Sequence, residues 1–107
     1  MTIIDPHIKK DDEYFLYREA FDKKLFIFDK GGVDPYFGHC WPKTSAWLDF
    51  INPKARDLLK RLYTAIPEGT YDKENYIWTD KNVHIWNDMN EPACFDPYDK
   101  SMPKSNI

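Results

Sequence analysis

Two short β-branched and aromatic runs, Thr2 to Ile4 and Val83 to Trp86, lie far apart in this chain, with an amphipathic helical pattern between them. Each run reads as a buried strand, the first ended by Asp5-Pro6. The helix between them begins at Asn52-Pro53, an N-cap followed by proline at the first helical position. Ala55, Leu58, Leu59, Leu62 and Tyr63 then form one apolar stripe, with Lys54, Arg56, Asp57, Lys60 and Arg61 opposite. Strand, helical crossover and strand make a βαβ-type unit, whose strands run parallel with a right-handed connection. The fold class is therefore α/β.

The rest of the crossover is less regular. Asp11-Asp12 open a second helical segment through Tyr14, Tyr17, Arg18 and Phe21, its acidic start suited to a helix dipole. Leu25 to Phe28 is another short β-type run. Asp29-Lys30-Gly31-Gly32 turns it back through Pro35 to Gly38, a hairpin excursion from the main sheet. His39 to Asp49 is aperiodic and rich in Trp, Pro and Ser, and reads as an ordered loop, with Asp49 bracing its end. Pro67 to Lys81 is polar and reads as a surface loop.

Chemistry concentrates where the last strand ends. His84-Ile85-Trp86-Asn87-Asp88-Met89-Asn90-Glu91-Pro92 runs from apolar and aromatic residues into two carboxylates and two amides. The C-terminal mouth of a buried parallel strand is where barrel enzymes keep their reacting groups. An acidic turn held by Asn and Asp is the plainer reading of such a pair, but the flanking Trp86, Met89 and Glu91-Pro92 weigh against it. Hydrophobic residues make up 42% and aromatic residues 17%, ample material for burial and unlike a disordered tail. Net charge is −3 with both signs interspersed, which argues against nucleic acid as a partner. No stretch approaches the roughly 20 apolar residues of a membrane span. Met1-Thr2-Ile3-Ile4-Asp5 lacks the pattern of a signal peptide. Cys40 and Cys94 allow a disulfide, a metal pair or two free thiols; without Cys-x-x-Cys spacing, free buried thiols are the default.

Trp86-Asn87-Asp88-Met89-Asn90-Glu91-Pro92 resembles the nucleophile motif of the α-glucosidases of glycoside hydrolase family 31, and within it the group of glucosidase II catalytic α subunits. Ile4-Asp5-Pro6-His7-Ile8-Lys9 resembles the preceding barrel strand of that family. Tyr36-Phe37-Gly38-His39-Cys40-Trp41-Pro42, followed by Asp49-Phe50 and Asn52-Pro53, resembles its long intervening loop. The resemblance extends from Thr2 to about Lys104. It implies that residues 1–107 are one partial catalytic domain, a fragment of a (β/α)8 TIM barrel. A complete barrel needs roughly 200 residues or more, so the chain reads as an internal piece of a longer protein.

The resemblance further implies a retaining glycosidase, which uses two carboxyl groups about 5–5.5 Å apart. Asp88 is then the nucleophile, and Glu91 has a supporting role. The acid/base is an Asp of a later barrel loop, absent from this chain. Trp86 and Trp41 are sugar platforms, since an indole face covers the apolar face of a pyranose. Met89 and Ile8 line the same pocket. His7 either hydrogen-bonds a sugar hydroxyl or braces the next loop. Without the motif, packing alone would account for any one of the tryptophans, and Trp47 and Trp78 match no motif position. Lys43 departs from the family, which has glycine there and so a cheaper positive φ. The implied substrate is an oligosaccharide or glycan with terminal α-linked glucose, trimmed from N-linked glycans in the endoplasmic reticulum lumen. A non-catalytic β subunit is the implied partner, with neither cofactor, metal nor membrane. The alternative is a carbohydrate-binding or decayed fragment in which the aromatic pocket persists without turnover.

Overall fold

The first and last expected strands do pair. In the computed structural model, which describes residues 1–64, 82–95 and 102–107, β1 (Thr2–Ile3) lies parallel to β5 (Ile85–Trp86). Thr2 is opposite Ile85 and Ile3 opposite Trp86. The Thr2 amide donates to the His84 carbonyl at 2.7 Å, and the Ile4 amide to that of Trp86 at 3.0 Å. Pro6 lacks an amide donor, in keeping with the strand's early end. The expected burial of these strands is corrected: Ile3, Ile85 and Trp86 are 48%, 44% and 53% exposed. A parallel strand is buried by layers packed on both faces, and the described residues do not cover these side chains.

A second sheet lies within the crossover. β2 (His7–Lys9), β3 (Gly38–Cys40) and β4 (Lys43–Trp47) form an antiparallel sheet in the order β2-β4-β3. The region 39–49, expected to be a loop, is therefore mostly strand and tight connection. Ser45, Ala46 and Trp47 are buried in succession, so β4 carries no polar alternation for a sequence reading to detect. Cys40 pairs with Lys43 across Trp41-Pro42, and Lys43 takes a φ of 75°, the left-handed region that favours glycine. The Leu25 to Phe28 run is not a continuous strand; it makes isolated bridges, Phe26 to Leu48 and Phe28 to Pro35, and the Ile27 amide donates to the Trp47 carbonyl at 2.8 Å. The expected hairpin return is present, with the Asp29 amide donating to the Asp34 carbonyl at 3.0 Å.

Both expected helices form. α1 (Phe15–Asp22) starts later than its acidic residues, and no acidic residue lies in its first turn. Asp11 instead shapes the turn before it, its carboxylate accepting from the Glu13 amide at 3.0 Å. At the far end Lys24 takes a φ of 54°, with Leu25 N–H donating to Ala20 O and Lys24 N–H to Phe21 O. That is the double bond of a Schellman stop, and it turns Leu25 into the core. α2 (Pro53–Leu62) is capped as expected, the Asn52 side chain accepting from the Lys54 amide at 3.0 Å. The stretch 67–81 lies outside the described residues.

β4 divides the interior. Ala46 on β4 and Leu48 just past it join Ile8, Leu16, Tyr17, Ala20, Leu58 and Leu62 in the main apolar cluster, beneath the two helices. Trp47 faces the other way and joins Cys40 and Cys94, with Tyr36, Met89 and Met102 packed against them. This alternation is the strand period of two. Glu19 of α1 bonds both Lys23 and Arg61, tying α1 to α2.

Candidate functional site

The stretch after β5 is folded by its own short side chains and by docking on β3. Asp88 Oδ1 accepts from the Met89 amide at 2.9 Å, Met89 takes a φ of 60°, and the Ala93 amide returns to the Met89 carbonyl at 3.0 Å. Asn87, Asp88, Asn90 and Glu91 are exposed around this turn, and the Glu91-Pro92 peptide is cis. Phe95 N–H then donates to the His39 carbonyl at 2.7 Å, which fixes the end of the turn to β3. Cys94 is wholly buried beside it.

Gly38 makes this docking possible. A Cβ at position 38 would lie 2.6 Å from Cys94 Sγ and 3.0 Å from the Trp47 ring. Only a residue without one lets the acidic turn sit this close to the sheet. Tyr36 stacks on Trp47 at 5.9 Å and its hydroxyl lies 3.5 Å from Cys94 Sγ.

The residues singled out in the sequence fall into three places. Asp88, Met89 and Glu91 share the acidic turn, with Met89 packed against the Cys40, Trp47 and Cys94 cluster. Trp41 is 70% exposed at the β3–β4 connection and meets Phe95 edge-on, ring centroids 4.7 Å apart. Trp86 stands half-exposed on β5. His7 is almost wholly enclosed, its Nδ1 3.3 Å from Cys40 Sγ and its Nε2 3.8 Å from Asp5 Oδ2. Burial lowers the His7 pKa, offset in part by the Asp5 charge. Ile8 belongs to the main apolar cluster. Asp49 braces its loop as expected, accepting from the Ile51 amide at 2.9 Å. Trp47 is core, and Trp78 lies outside the described residues.

A cavity of 560 Å³ opens alongside, lined by residues 2–9, by Leu16, Leu59 and Tyr63 of the helical layer, and by Asn87 and Asn90. Asp5 Oδ1 is buried and has no hydrogen-bond partner among the described residues. Among the described residues no three His, Cys, Asp or Glu side chains cluster to hold a metal. Cys40 and Cys94 are buried free thiols, and burial raises the Cys40 pKa. Sequence reasoning missed Phe95 and, although Gly38 stood in a quoted motif, the role of Gly38, because their contacts are to residues distant in the chain. Phe95 follows the motif without any periodicity of its own to mark it.

The turn presents two exposed carboxylates, Asp88 and Glu91, interleaved with the amides of Asn87 and Asn90, and Trp86 and Trp41 are exposed on β5 and at the β3–β4 connection. Comparison with known proteins gives it a family. The Glycosyl hydrolases family 31 TIM-barrel domain matches residues 1–107. Glucosidase 2 subunit alpha of Schizosaccharomyces pombe is 42% identical over 107 residues, covering 100% of this chain and 11% of that protein. Neutral alpha-glucosidase AB of Dictyostelium discoideum is 45% identical over 104 residues, covering 97% of this chain and 10% of that protein. A crystal structure of glucosidase II alpha subunit bound to alpha3-Glc2 superposes with a TM-score of 0.83 at 39% identity, covering 99% of this chain and 10% of the other. An ER glucosidase II heterodimeric complex, of catalytic subunit and the binding domain of the regulatory subunit, gives the same score at 40% identity, over 99% of this chain and 11% of the other. The chain thus spans about a tenth of the length of these relatives. The described residues form a small mixed α/β arrangement with two open sheets, which accords with part of a barrel. The chain belongs to glycoside hydrolase family 31, and it spans a stretch of that family's TIM-barrel domain.

Proposed function

We propose that residues 1–107 are the part of a retaining α-glucosidase that carries its nucleophile, Asp88. The observation that supports this most is the position of Asp88, just past the end of a strand that runs parallel to β1, in a chain matched throughout by the family's barrel domain. Asp88 attacks the anomeric carbon of a terminal α-linked glucose as the glycosidic C–O bond breaks, and a β-linked glycosyl-enzyme forms. The leaving oxygen takes its proton from a second carboxyl, which the family resemblance assigns to an Asp of a later barrel loop. Water, deprotonated by that same group, then opens the intermediate with overall retention.

The remaining residues bind and orient. Asn87 and Asn90 carry amide donors next to Asp88, and Glu91 supports the turn. Trp86, Trp41 and Met89 form the apolar wall of the glucose pocket, with Phe95 set edge-on against Trp41. On β2, His7 braces the neighbouring loop from its enclosed position, and Ile8 backs the pocket from within the main apolar cluster. On the same reading the substrate is a glucose-terminated N-linked glycan in the endoplasmic reticulum lumen. A non-catalytic β subunit is the partner.

The test is a chimera in which residues 1–107 replace the matching segment of the Schizosaccharomyces pombe relative. The chimera should hydrolyse α-glucosides. A mechanism-based inhibitor that traps the intermediate should label Asp88 and no other residue of the segment. Asp88→Ala should abolish hydrolysis, and added azide should partly restore cleavage of the glycosidic bond, displacing the leaving group once to give the β-glycosyl azide. An inactive, folded chimera, or a label on Glu91, would refute this assignment.

A further inference from the structure

The antiparallel sheet seats the acidic turn on the face that carries His7, Gly38, Cys40 and Trp47. His7 pairs with Trp47, Gly38 with Ser45, and Cys40 with Lys43. Across that face runs a continuous polar chain. Asp5 Oδ2 lies 3.8 Å from His7 Nε2, His7 Nδ1 lies 3.3 Å from Cys40 Sγ, and Cys40 Sγ donates to the Ala93 carbonyl at 3.8 Å. Its ends belong to the β1–β2 junction and to the acidic turn, and its middle precedes Trp41.

We infer that His7 is a positioning residue which, through the Cys40 thiol, sets the acidic turn bearing Asp88 against the strand end bearing Trp41. The inference rests on Asp88 being the nucleophile. His7 does not reach substrate itself, because its side chain is only 6% exposed. It acts through Cys40, whose single sulfur touches both the imidazole and the backbone of the turn. Each contact is weak by itself. Their effect is geometric, because a nucleophile displaced by about 1 Å loses up to roughly 100-fold in rate. Burial lowers the His7 pKa and so favours the neutral imidazole; with the thiol proton directed at the Ala93 carbonyl, the tautomer that completes the chain is the one whose Nδ1–H donates to Cys40 Sγ.

The chimera described above tests this with four variants. His7→Phe keeps the ring volume and removes both nitrogens. His7→Asn keeps one polar atom near the Nδ1 position. Cys40→Ala removes the thiol, and the double variant removes both. His7→Phe should lower kcat about tenfold, with KM changed by less than about twofold, and slow inhibitor labelling of Asp88 in proportion. His7→Asn should recover kcat to within about threefold of the unmodified chimera. Cys40→Ala should reproduce the His7→Phe loss, and the double variant should lose no more than either alone, since both cut one chain. Multiplying losses in the double variant, an effect confined to KM, or equal losses in His7→Phe and His7→Asn would overturn the inference. An unmodified chimera with no activity would instead count against the glycosidase reading.

Discussion

Gly38→Ala is the substitution whose outcome the geometry specifies most closely. The added Cβ would stand 2.6 Å from Cys94 Sγ and 3.0 Å from two carbons of the Trp47 ring. Carbon atoms meet comfortably at about 3.5–4.0 Å, so something must retreat by roughly 1 Å. Neither neighbour is the loose end of a surface side chain, for Cys94 is 0% and Trp47 1% exposed. Overpacking of this kind costs about 1–3 kcal/mol. Of the two obstacles, the turn holding Cys94 yields more easily than a core indole stacked on Tyr36. That turn carries Asp88, so a retreat of about 1 Å should also cut kcat by ten- to roughly 100-fold. The measurements are kcat, the labelling rate of Asp88 and the apparent melting midpoint, all in the active chimera. Cys94→Ala added to Gly38→Ala removes the shorter contact and leaves the 3.0 Å approach to Trp47, so it should restore part of the loss. A Gly38→Ala enzyme with unchanged kcat and melting would refute the reasoning, as would a Cys94→Ala change that relieves nothing.

The other expectations are simpler. Trp41→Ala should lower kcat/KM by the equivalent of about 1–3 kcal/mol while the fold survives; unchanged kinetics in a folded variant would reduce Trp41 to packing against Phe95. The isolated 107-residue polypeptide should show no glucosidase activity and should aggregate or stay partly folded, because β1 and β5 leave open edges and exposed Ile3, Ile85 and Trp86; a soluble, cooperatively melting, active preparation would contradict this. Partial burial pushes the Glu19 carboxyl up, but its hydrogen bonds to Lys23 and Arg61 outweigh that and hold its pKa below the ordinary 4.5. The stabilisation it gives is therefore full above that value and lost as pH falls through the folded pKa. Glu19→Gln in the chimera should cost about 1 kcal/mol at neutral pH and nothing in acid, and a penalty independent of pH would rule this out.

Local chemistry made α2 and the acidic motif legible. Asn52 supplies its cap to an amide two residues on, and Ala55, Leu58 and Leu62 repeat at helical spacing, so both signals lie within one or two turns of chain. The order of residues from Trp86 to Pro92 was enough to point to the family, since a motif is a property of order alone. The parallel pairing of β1 with β5 followed from the crossover between them.

What the sequence did not reveal depends on neighbours distant in the chain. β4 was hidden because Ser45, Ala46 and Trp47 are buried from both sides, by clusters drawn from α1, α2, β2 and the turn after β5. The exposure of β1 and β5 was equally unreadable, because two apolar runs look alike whether or not other elements cover them. Sequence therefore determined the family to which the chain belongs and which segments are helical. The tertiary structure alone decided that Gly38 admits Cys94, that His7 meets Cys40 and that Phe95 backs Trp41. Those contacts join residues brought together only when the antiparallel sheet forms, and no short-range pattern encodes a distance of that kind.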